Sequence, residues 1–153
     1  MAAFTSAGTT LRITASQPAT FDATGYNALS TTLVGEITDL GEFGREYALV
    51  THNPVGNRST QKFKGSFNGG TMNVTLALDT DDAGQIICKA AALADANYTI
   101  LVTTQQGDRY FFQARVMSWK VGVGSVDQIT TATMVLELTT NSAGVGIVEV
   151  LAP

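Results

Sequence analysis

Apolar and polar residues alternate with a period of two along most of this chain. Side chains of a strand point alternately to opposite faces, so this pattern predicts β-strands. The clearest run is 71–79, in which Met72, Val74, Leu76 and Leu78 alternate with polar residues. The same pattern predicts further strands at 10–15, 32–40, 62–67, 98–104, 109–121 and 128–140.

The turn residues between these runs predict how they connect. Asn68-Gly69-Gly70 separates two alternating runs, and such a turn is typical of a β-hairpin, here over 62–79. In the run at 32–40 we expect Leu33 and Ile37 to face the core.

One segment has a helical period instead. After the acidic stretch at 79–82, apolar residues recur three and four positions apart, which predicts an α-helix. Asp82 and Gln85 have the spacing of a capping box, and Asn97 suits the C-terminal end. The expected buried face of this helix consists of Ile86, Ile87, Ala90, Leu93 and Ala94.

The order of strands, one helix and strands indicates the fold class. We expect a mainly β protein with one α-helix, in which an antiparallel β-sandwich or rolled barrel is flanked by the helix. No repeat or linker divides the chain, so a single domain is predicted over 1–153.

Two segments stand outside this pattern. The connection at 41–60 has no clear period, yet it contains several large apolar residues, and connections of this length are usually functional or disordered. The C-terminal segment 141–153 is small and apolar, and is predicted to be a short added strand or an extended arm.

The strand at 109–121 is apolar on both sides. Tyr110, Phe112 and Val116 share one face, whereas Phe111, Met117 and Trp119 share the other. Aromatic residues are common in cores and in interfaces, so the second face is expected either in a subunit interface or under the helix.

Composition and charge narrow the function. Hydrophobic residues make up 44% of the chain and charged residues only 14%, so part of the surface is expected to be covered by a partner. The net charge of −4 argues against a protein that grips nucleic acid, because such proteins need clustered Lys and Arg. It is compatible with a surface past which DNA slides.

Candidate chemistry is sparse. His52, the single histidine, has no nucleophile signature beside it, and Cys88 is expected to be a small buried thiol. "DTDDAG" at 79–84 has Ala83 where a calcium loop needs an oxygen ligand, and "GVGSVD" at 122–127 lacks the third glycine of a dinucleotide motif. We therefore expect no enzyme, no metal and no cofactor.

The order and spacing of these features resemble the tail tube proteins (major tail proteins) of long, non-contractile-tailed bacteriophages. The resemblance covers roughly residues 8–140, and no single motif is diagnostic. The matching stretches are "AGTTLRI" (7–13), "GEITDLGEFGREY" (35–47), "FKGSFNGGTMNVTLAL" (63–78), "DDAGQIICKAAALADANYTILV" (81–102) and "GDRYFFQARVMSWKVGVGSVDQITTATMVLELT" (107–139).

The resemblance implies a structural virion protein. Six subunits would form a ring whose inner sheets join into one β-barrel, and rings would stack into the tube through which DNA is ejected. The implied partners are further copies of the chain, a tape-measure protein, and tail-tip and tail-terminator proteins. DNA would pass without specific binding. The protein would be made in the host cytoplasm, with no membrane partner, and reside in the virion tail.

The resemblance also implies where the contacts lie. The long connection would reach neighbouring subunits or rings and become ordered only on assembly. The predicted contacts between subunits are Phe43, Arg45, Tyr47, Leu49, Val50, His52, Lys62, Lys64, Phe111, Met117 and Trp119. For Lys62 and Lys64, an ordinary solvated strand face is the alternative. The candidate acids lining the bore are Glu36, Asp39 and Glu137.

Three functions remain open from the sequence. They are a phage tail tube subunit, a ring protein of a type VI secretion or contractile-tail inner tube, and a stand-alone β-sandwich binding module. A glycan-binding module would carry aromatic residues on an exposed platform and would remain monomeric.

Overall fold

The computed structural model describes residues 3–153, so the first two residues of the predicted 1–153 domain lie outside the described residues. It contains two helices, α1 (Ala23–Asn27) and α2 (Ala83–Leu93). The strands are β1 (Thr10–Thr14), β2 (Thr32–Val34), β3 (Ile37–Asp39), β4 (Glu46–His52), β5 (Gln61–Asn68), β6 (Thr71–Ala77), β7 (Tyr98–Thr103), β8 (Arg109–Gly122), β9 (Thr131–Thr139) and β10 (Val148–Val150).

Eight strands form one antiparallel sheet in the order β2-β1-β7-β8-β9-β6-β3, with β10 added beside β8. Its two outermost strands, β2 and β3, follow each other in sequence and are joined at Gly35-Glu36. The sheet therefore rolls until its ends meet, which confirms the mainly β, antiparallel prediction. β4 and β5 form a separate two-stranded sheet.

The main core fills the inside of the rolled sheet. Alternate residues of β6 and β9 point into it, and α2 adds Cys88 and Ala91. The buried members are Leu11, Ile13, Val34, Met72, Val74, Leu76, Cys88, Ala91, Ile100, Val102, Phe112, Ala114, Val116, Ala132, Met134, Leu136 and Leu138. The inward face predicted for 71–79 is thus confirmed for Met72, Val74 and Leu76.

The strand predicted at 32–40 is two strands. Glu36 has a φ of 62°, a left-handed backbone conformation that ends one strand before the next begins. β2 then pairs with β1, and β3 pairs with β6. The inward position of Leu33 is wrong, because Val34 is buried in its place.

The hairpin predicted over 62–79 is also wrong. β5 pairs with β4, whereas β6 pairs with β9 and β3. Gly70, with a φ of 85°, turns the chain from the separate hairpin into the main sheet. The two glycines therefore redirect the chain and do not close a tight turn.

The segment 41–60 is more regular than predicted, because it contains β4. The prediction of an irregular connection is wrong for 46–52 and right for 41–45 and for the turn that follows the strand. A second departure is α1, which lies between the strands predicted at 10–15 and 32–40, where no element was predicted. Its N-cap residue Asp22 accepts a hydrogen bond from the Gly25 amide.

The predicted long helix is present, but its buried face is shifted by about one residue from the predicted one. Asp82 caps it as expected, accepting a hydrogen bond from the Gln85 amide. The residues that face the core are Gly84, Gln85, Cys88 and Ala91. Ile86 and Leu93, predicted as buried, are exposed, and the helix ends at Leu93, before Asn97.

Candidate assembly surfaces

The apolar outer face of β8 is covered by the chain itself. Phe111 is only 2% exposed and stacks on Tyr26 of α1, with ring centroids 5.1 Å apart. Leu101 of β7 completes this second core, and Val148 and Val150 of β10 pack against it. Phe111 is therefore unavailable for the predicted contact with another subunit, because α1 and the C-terminal strand already bury it.

A polar group orders this second core. The Gln113 side-chain amide donates hydrogen bonds to the Tyr26 hydroxyl at 3.2 Å and to the Thr99 hydroxyl at 2.8 Å. Burial raises the pKa of Tyr26, so its hydroxyl stays protonated at neutral pH. The C-terminal segment 141–153 therefore contains a short added strand, β10, which pairs with β8 and packs against this second core.

A β-bulge changes the outer half of β8. Pairing with β9 shifts between Val116 and Ser118, so Met117 is the extra residue. The shift places Trp119 beside Met134 and against the main core, near α2. Trp119 and Met117 therefore do not share a face as predicted; Met117 is 60% exposed and Trp119 is partly buried under the helix.

Phe43 also packs within its own subunit. Its ring lies 5.3 Å from Tyr110 and 5.4 Å from Phe112, measured between centroids, and it is half-buried against the main core. Of the predicted contact residues, Arg45, Met117 and those in β4 and β5 are exposed and can meet another molecule.

The hairpin, defined here as β4, β5 and their turn, presents two uncovered faces. One face carries Tyr47, Leu49, Lys62, Lys64 and Phe67, and the other carries Val50, His52 and Phe63. Every residue of β4 is exposed, with Leu49 at 65%. A two-stranded sheet is marginally stable alone, so this hairpin gains support when a partner covers it.

Cations and aromatic rings alternate along the first face. The Lys64 ammonium lies 4.7 Å from the Tyr47 ring centroid, and the Arg45 guanidinium lies 4.7 Å from that of Phe67. The two rings lie 5.6 Å apart. Residues 45–68 hold four basic residues and one acid, Glu46, giving a charge of +3 on a chain of net charge −4.

A different surface lies on the outside of β6 and β9. Side chains that alternate with the core positions are half-exposed or exposed and mostly hydroxylic; they are Thr71, Asn73, Thr75, Thr131, Thr133, Val135, Glu137 and Thr139. We name them the polar face. The Thr71 hydroxyl donates to a Glu137 carboxylate oxygen at 2.7 Å.

The three candidate acids divide between two places. Asp39 pairs with Thr75 and Glu137 pairs with Thr71, so both lie on the polar face. Arg115, opposite Glu137, and Lys120, opposite Thr133, share that face, so its charge is balanced and not purely acidic. Glu36 lies at the corner between β2 and β3.

The strands carrying the polar face end in open edges. β7 covers β8 only over Arg109–Ala114, so the β7 side of β8 beyond Ala114 has no strand partner in the described chain. At the other end of the order, β3 pairs only with β6. β8, β9, β6 and β3 thus form a four-stranded segment with an unpaired edge on each side.

Gln85 organises the end of the barrel where α2 begins, and sequence analysis assigned it only a capping role. Its side-chain amide donates to the carbonyl oxygens of Gly35 and Ala77, at 3.1 and 3.0 Å, and its oxygen accepts from the Asp79 amide at 2.9 Å. In the sequence, the spacing between Asp82 and Gln85 was the only signal that marked this residue.

Cys88 and His52 are the remaining candidate reactive side chains. Burial raises the pKa of the Cys88 thiol to about 12, so it is not a nucleophile at neutral pH. His52 is exposed at the end of β4, opposite Gln61. In residues 3–153 no group of three or more His, Cys, Asp or Glu side chains is placed to hold a metal, and no helix is long and apolar enough to cross a membrane.

Comparison with known proteins supports the fold. No family model and no curated protein matches the chain. A chain of the anti-feeding prophage baseplate aligns with a TM-score of 0.66 at 11% identity, covering 91% of this chain and 93% of that one. The SPP1 tail tube protein aligns with a TM-score of 0.63 at 13% identity, covering 92% and 75%. The chain therefore has the fold of tail tube proteins.

Proposed function

We propose that this chain is a structural subunit that assembles with copies of itself into hexameric rings, and that the rings stack into a bacteriophage tail tube. The single observation that carries the proposal is the four-stranded segment β8-β9-β6-β3. It combines an uncovered polar face with an open edge on each side, in a molecule with the tail-tube fold. In a monomer the open edges are a liability, because their unpaired backbone groups can pair with another chain.

Ring closure accounts for both features. When the open edge of β8 in one subunit pairs with the open β3 side of the next, the segments join into a closed barrel without edges. The polar face then lines the bore, where Thr hydroxyls and a mixture of acidic and basic side chains offer DNA no continuous basic track to bind. The single predicted domain would supply the whole ring wall.

The hairpin supplies the contact beyond the barrel wall. Its exposed aromatic and basic side chains, Arg45, Tyr47, Leu49, Val50, Lys62 and Lys64, would be covered by a neighbouring copy, as would His52. A tape-measure protein inside the bore, and tail-tip and terminator proteins at the two ends, are the further partners.

Negative-stain electron microscopy with light scattering, over a concentration series, tests the proposal. Rings or hollow tubes of constant width are expected. A variant in which a short turn joins Arg45 to Gly69 should fold, because Glu46 and Asn68 pair directly, and should give rings without tubes. A uniform monomer at every concentration, with and without tail-tip and tape-measure proteins, would refute the proposal and favour a binding module.

A contractile-type inner tube is the second candidate, favoured by the likeness to the anti-feeding prophage baseplate over 93% of that chain. Co-purification with sheath subunits would support it, and tubes that assemble and fill with tape-measure protein alone would support the non-contractile tail.

A further inference from the structure

Two uncovered surfaces lie at opposite ends of the barrel. The hairpin joins the main sheet at Gly70, whose carbonyl accepts from the Leu138 amide. The other end of β6 meets the β8–β9 turn, where the Leu78 amide donates to the Thr130 carbonyl. β6 has seven residues, so the two ends are separated by about 20 Å.

The end away from the hairpin is acidic. It is formed by residues 35–36, 78–86 and 121–131. Gln85 joins the first two segments through Gly35, Ala77 and Asp79, and the Leu78 amide joins the third through the Thr130 carbonyl. These segments contain five acids and no Lys, Arg or His; the acids are Glu36, Asp79, Asp81, Asp82 and Asp127. We name this surface the acidic end. Two basic groups border this surface: Lys89 lines a groove together with Asp79 and Ile86, and Lys120 lies near the end of β8.

The acidic end is also apolar. Ile86, Val121, Val123, Val126 and Ile129 are exposed there, and a groove beside Trp119 opens between α2 and β8. The hairpin exposes Tyr47, Leu49, Val50, Val55, Phe63 and Phe67. Together the two surfaces hold eleven of the sixteen large apolar side chains that are exposed in the described chain.

We propose that the hairpin of one copy docks onto the acidic end of a second copy, with Lys62 and Lys64 facing Asp81 and Asp127. This inference rests on the proposed function and names the receptor that the hairpin contacts. The occupant is a second copy because the positive charge of the hairpin (+2, or +3 with the adjacent Arg45) and its apolar side chains match the negative charge and apolar side chains of the acidic end.

The placement of the two surfaces sets the geometry of the assembly. Because they lie on opposite ends of one molecule, the contact is head to tail and does not close within a pair. Each copy then offers a free hairpin at one end and a free acidic end at the other. Such a contact joins one ring to the next, whereas the open sheet edges join subunits within a ring.

Charge reversal tests the pairing. Asp81 and Asp127 are chosen because they are exposed, whereas Asp82 caps α2 and Asp79 forms the preceding turn. Lys62→Glu/Lys64→Glu and Asp81→Lys/Asp127→Lys should each shorten stacks while leaving rings intact. The loss expected in the stacking constant is about fivefold per reversed pair, the upper range for exposed ion pairs. All four changes in one chain restore opposite charges and should restore stacking.

The matched control is Glu42→Lys/Glu149→Lys. It changes the net charge by the same amount as the Asp81/Asp127 variant, but both residues are exposed and lie away from the acidic end. Stack length measured by electron microscopy, and mass by sedimentation at about 50 and about 500 mM salt, should be unchanged or increased in this control. Wild-type stacks should shorten at the higher salt concentration.

Cross-linking gives a second, independent readout on the full chain. A carbodiimide joins a lysine amine directly to a carboxylate, and an equal mixture of ¹⁴N and ¹⁵N chains separates links between copies from links within one. Links from Lys62 or Lys64 to Asp79, Asp81 or Asp127 of another copy are expected.

The outcomes separate the two proposals. Tubes whose hairpin lysines cross-link to other surfaces, or a four-change variant that fails to stack although its rings form, would overturn the receptor and leave the tube function standing. Absence of rings and tubes from the wild-type protein would overturn both.

Discussion

Replacement of Gln85 should destabilise the end of the barrel where α2 begins. Its buried side chain, 2% exposed, makes three hydrogen bonds to the backbone of the β2–β3 corner, the end of β6 and the turn before α2. Each bond contributes about 1 kcal/mol net, so Gln85→Leu should lower the free energy of unfolding by about 3 kcal/mol. That is a large share of the 5–15 kcal/mol typical of a domain.

For Gln85→Glu, we expect a loss of stability that depends on pH. The introduced carboxylate can still accept from the Asp79 amide, but it faces the carbonyl oxygens of Gly35 and Ala77 without a proton to donate. Its protonated form donates to one of them, so folding raises the pKa of the introduced group. Stability is then retained at low pH and lost as the pH rises, and the deficit relative to wild type should grow between about pH 4 and pH 7.

Urea unfolding of the monomer measures both variants. Gln128→Leu is the control, because the Gln128 side chain is exposed and accepts one bond, from the Ser125 amide. It should change stability by less than about 0.5 kcal/mol. A Gln85→Leu variant as stable as this control, or a Gln85→Glu deficit that is independent of pH, would refute the assigned role.

Three further predictions concern the interior. Phe111→Ala should cost about 3–5 kcal/mol in urea unfolding, because its ring is buried against Tyr26, whereas Met117→Ala should cost less than about 0.5 kcal/mol; equal costs would contradict the second core. Burial raises the pKa of Cys88 from 9.0 to about 12, so native stability should fall above pH 9 by about 1.4 kcal/mol per pH unit more than in Cys88→Ala, and parallel pH profiles would contradict this. Gly84→Ala should lower the midpoint of thermal unfolding because a Cβ there overlaps the backbone of β2, whereas Gly56→Ala, in open space, should not.

Sequence periodicity predicted the elements whose burial is one-sided. The run at 71–79 alternates strictly because β6 has one face in the core, and the capped helix begins where Asp82 places it. Pairing was not predictable in the same way. Asn68-Gly69-Gly70 has the composition of a tight turn, but the choice of β4 as the partner of β5 depends on tertiary contacts that a local pattern does not contain.

The assembly surfaces show the same limit. The bulge at Met117 reverses the side-chain alternation of β8, and nothing in the apolar pattern of 109–121 marks the position of the extra residue. Leu33 and Val34 are both apolar, so the choice of the buried one depended on the break at Glu36. The basic character of the hairpin was visible in the sequence, whereas the acidic end combines three segments that only folding brings together.

The Gly35-Glu36 corner has a consequence for the order of folding. β8 and β9 are neighbours in sequence, but Thr10 must find Thr103, and the corner can join the two sides of the barrel only after β1 and β6 have found their partners. Chains dominated by such distant pairings fold in milliseconds to seconds. We expect the corner to form after the rate-limiting step, so substitutions there should leave the refolding rate nearly unchanged and accelerate unfolding. The Gly35-Glu36 corner would then determine how long a folded subunit persists before it is incorporated into an assembly.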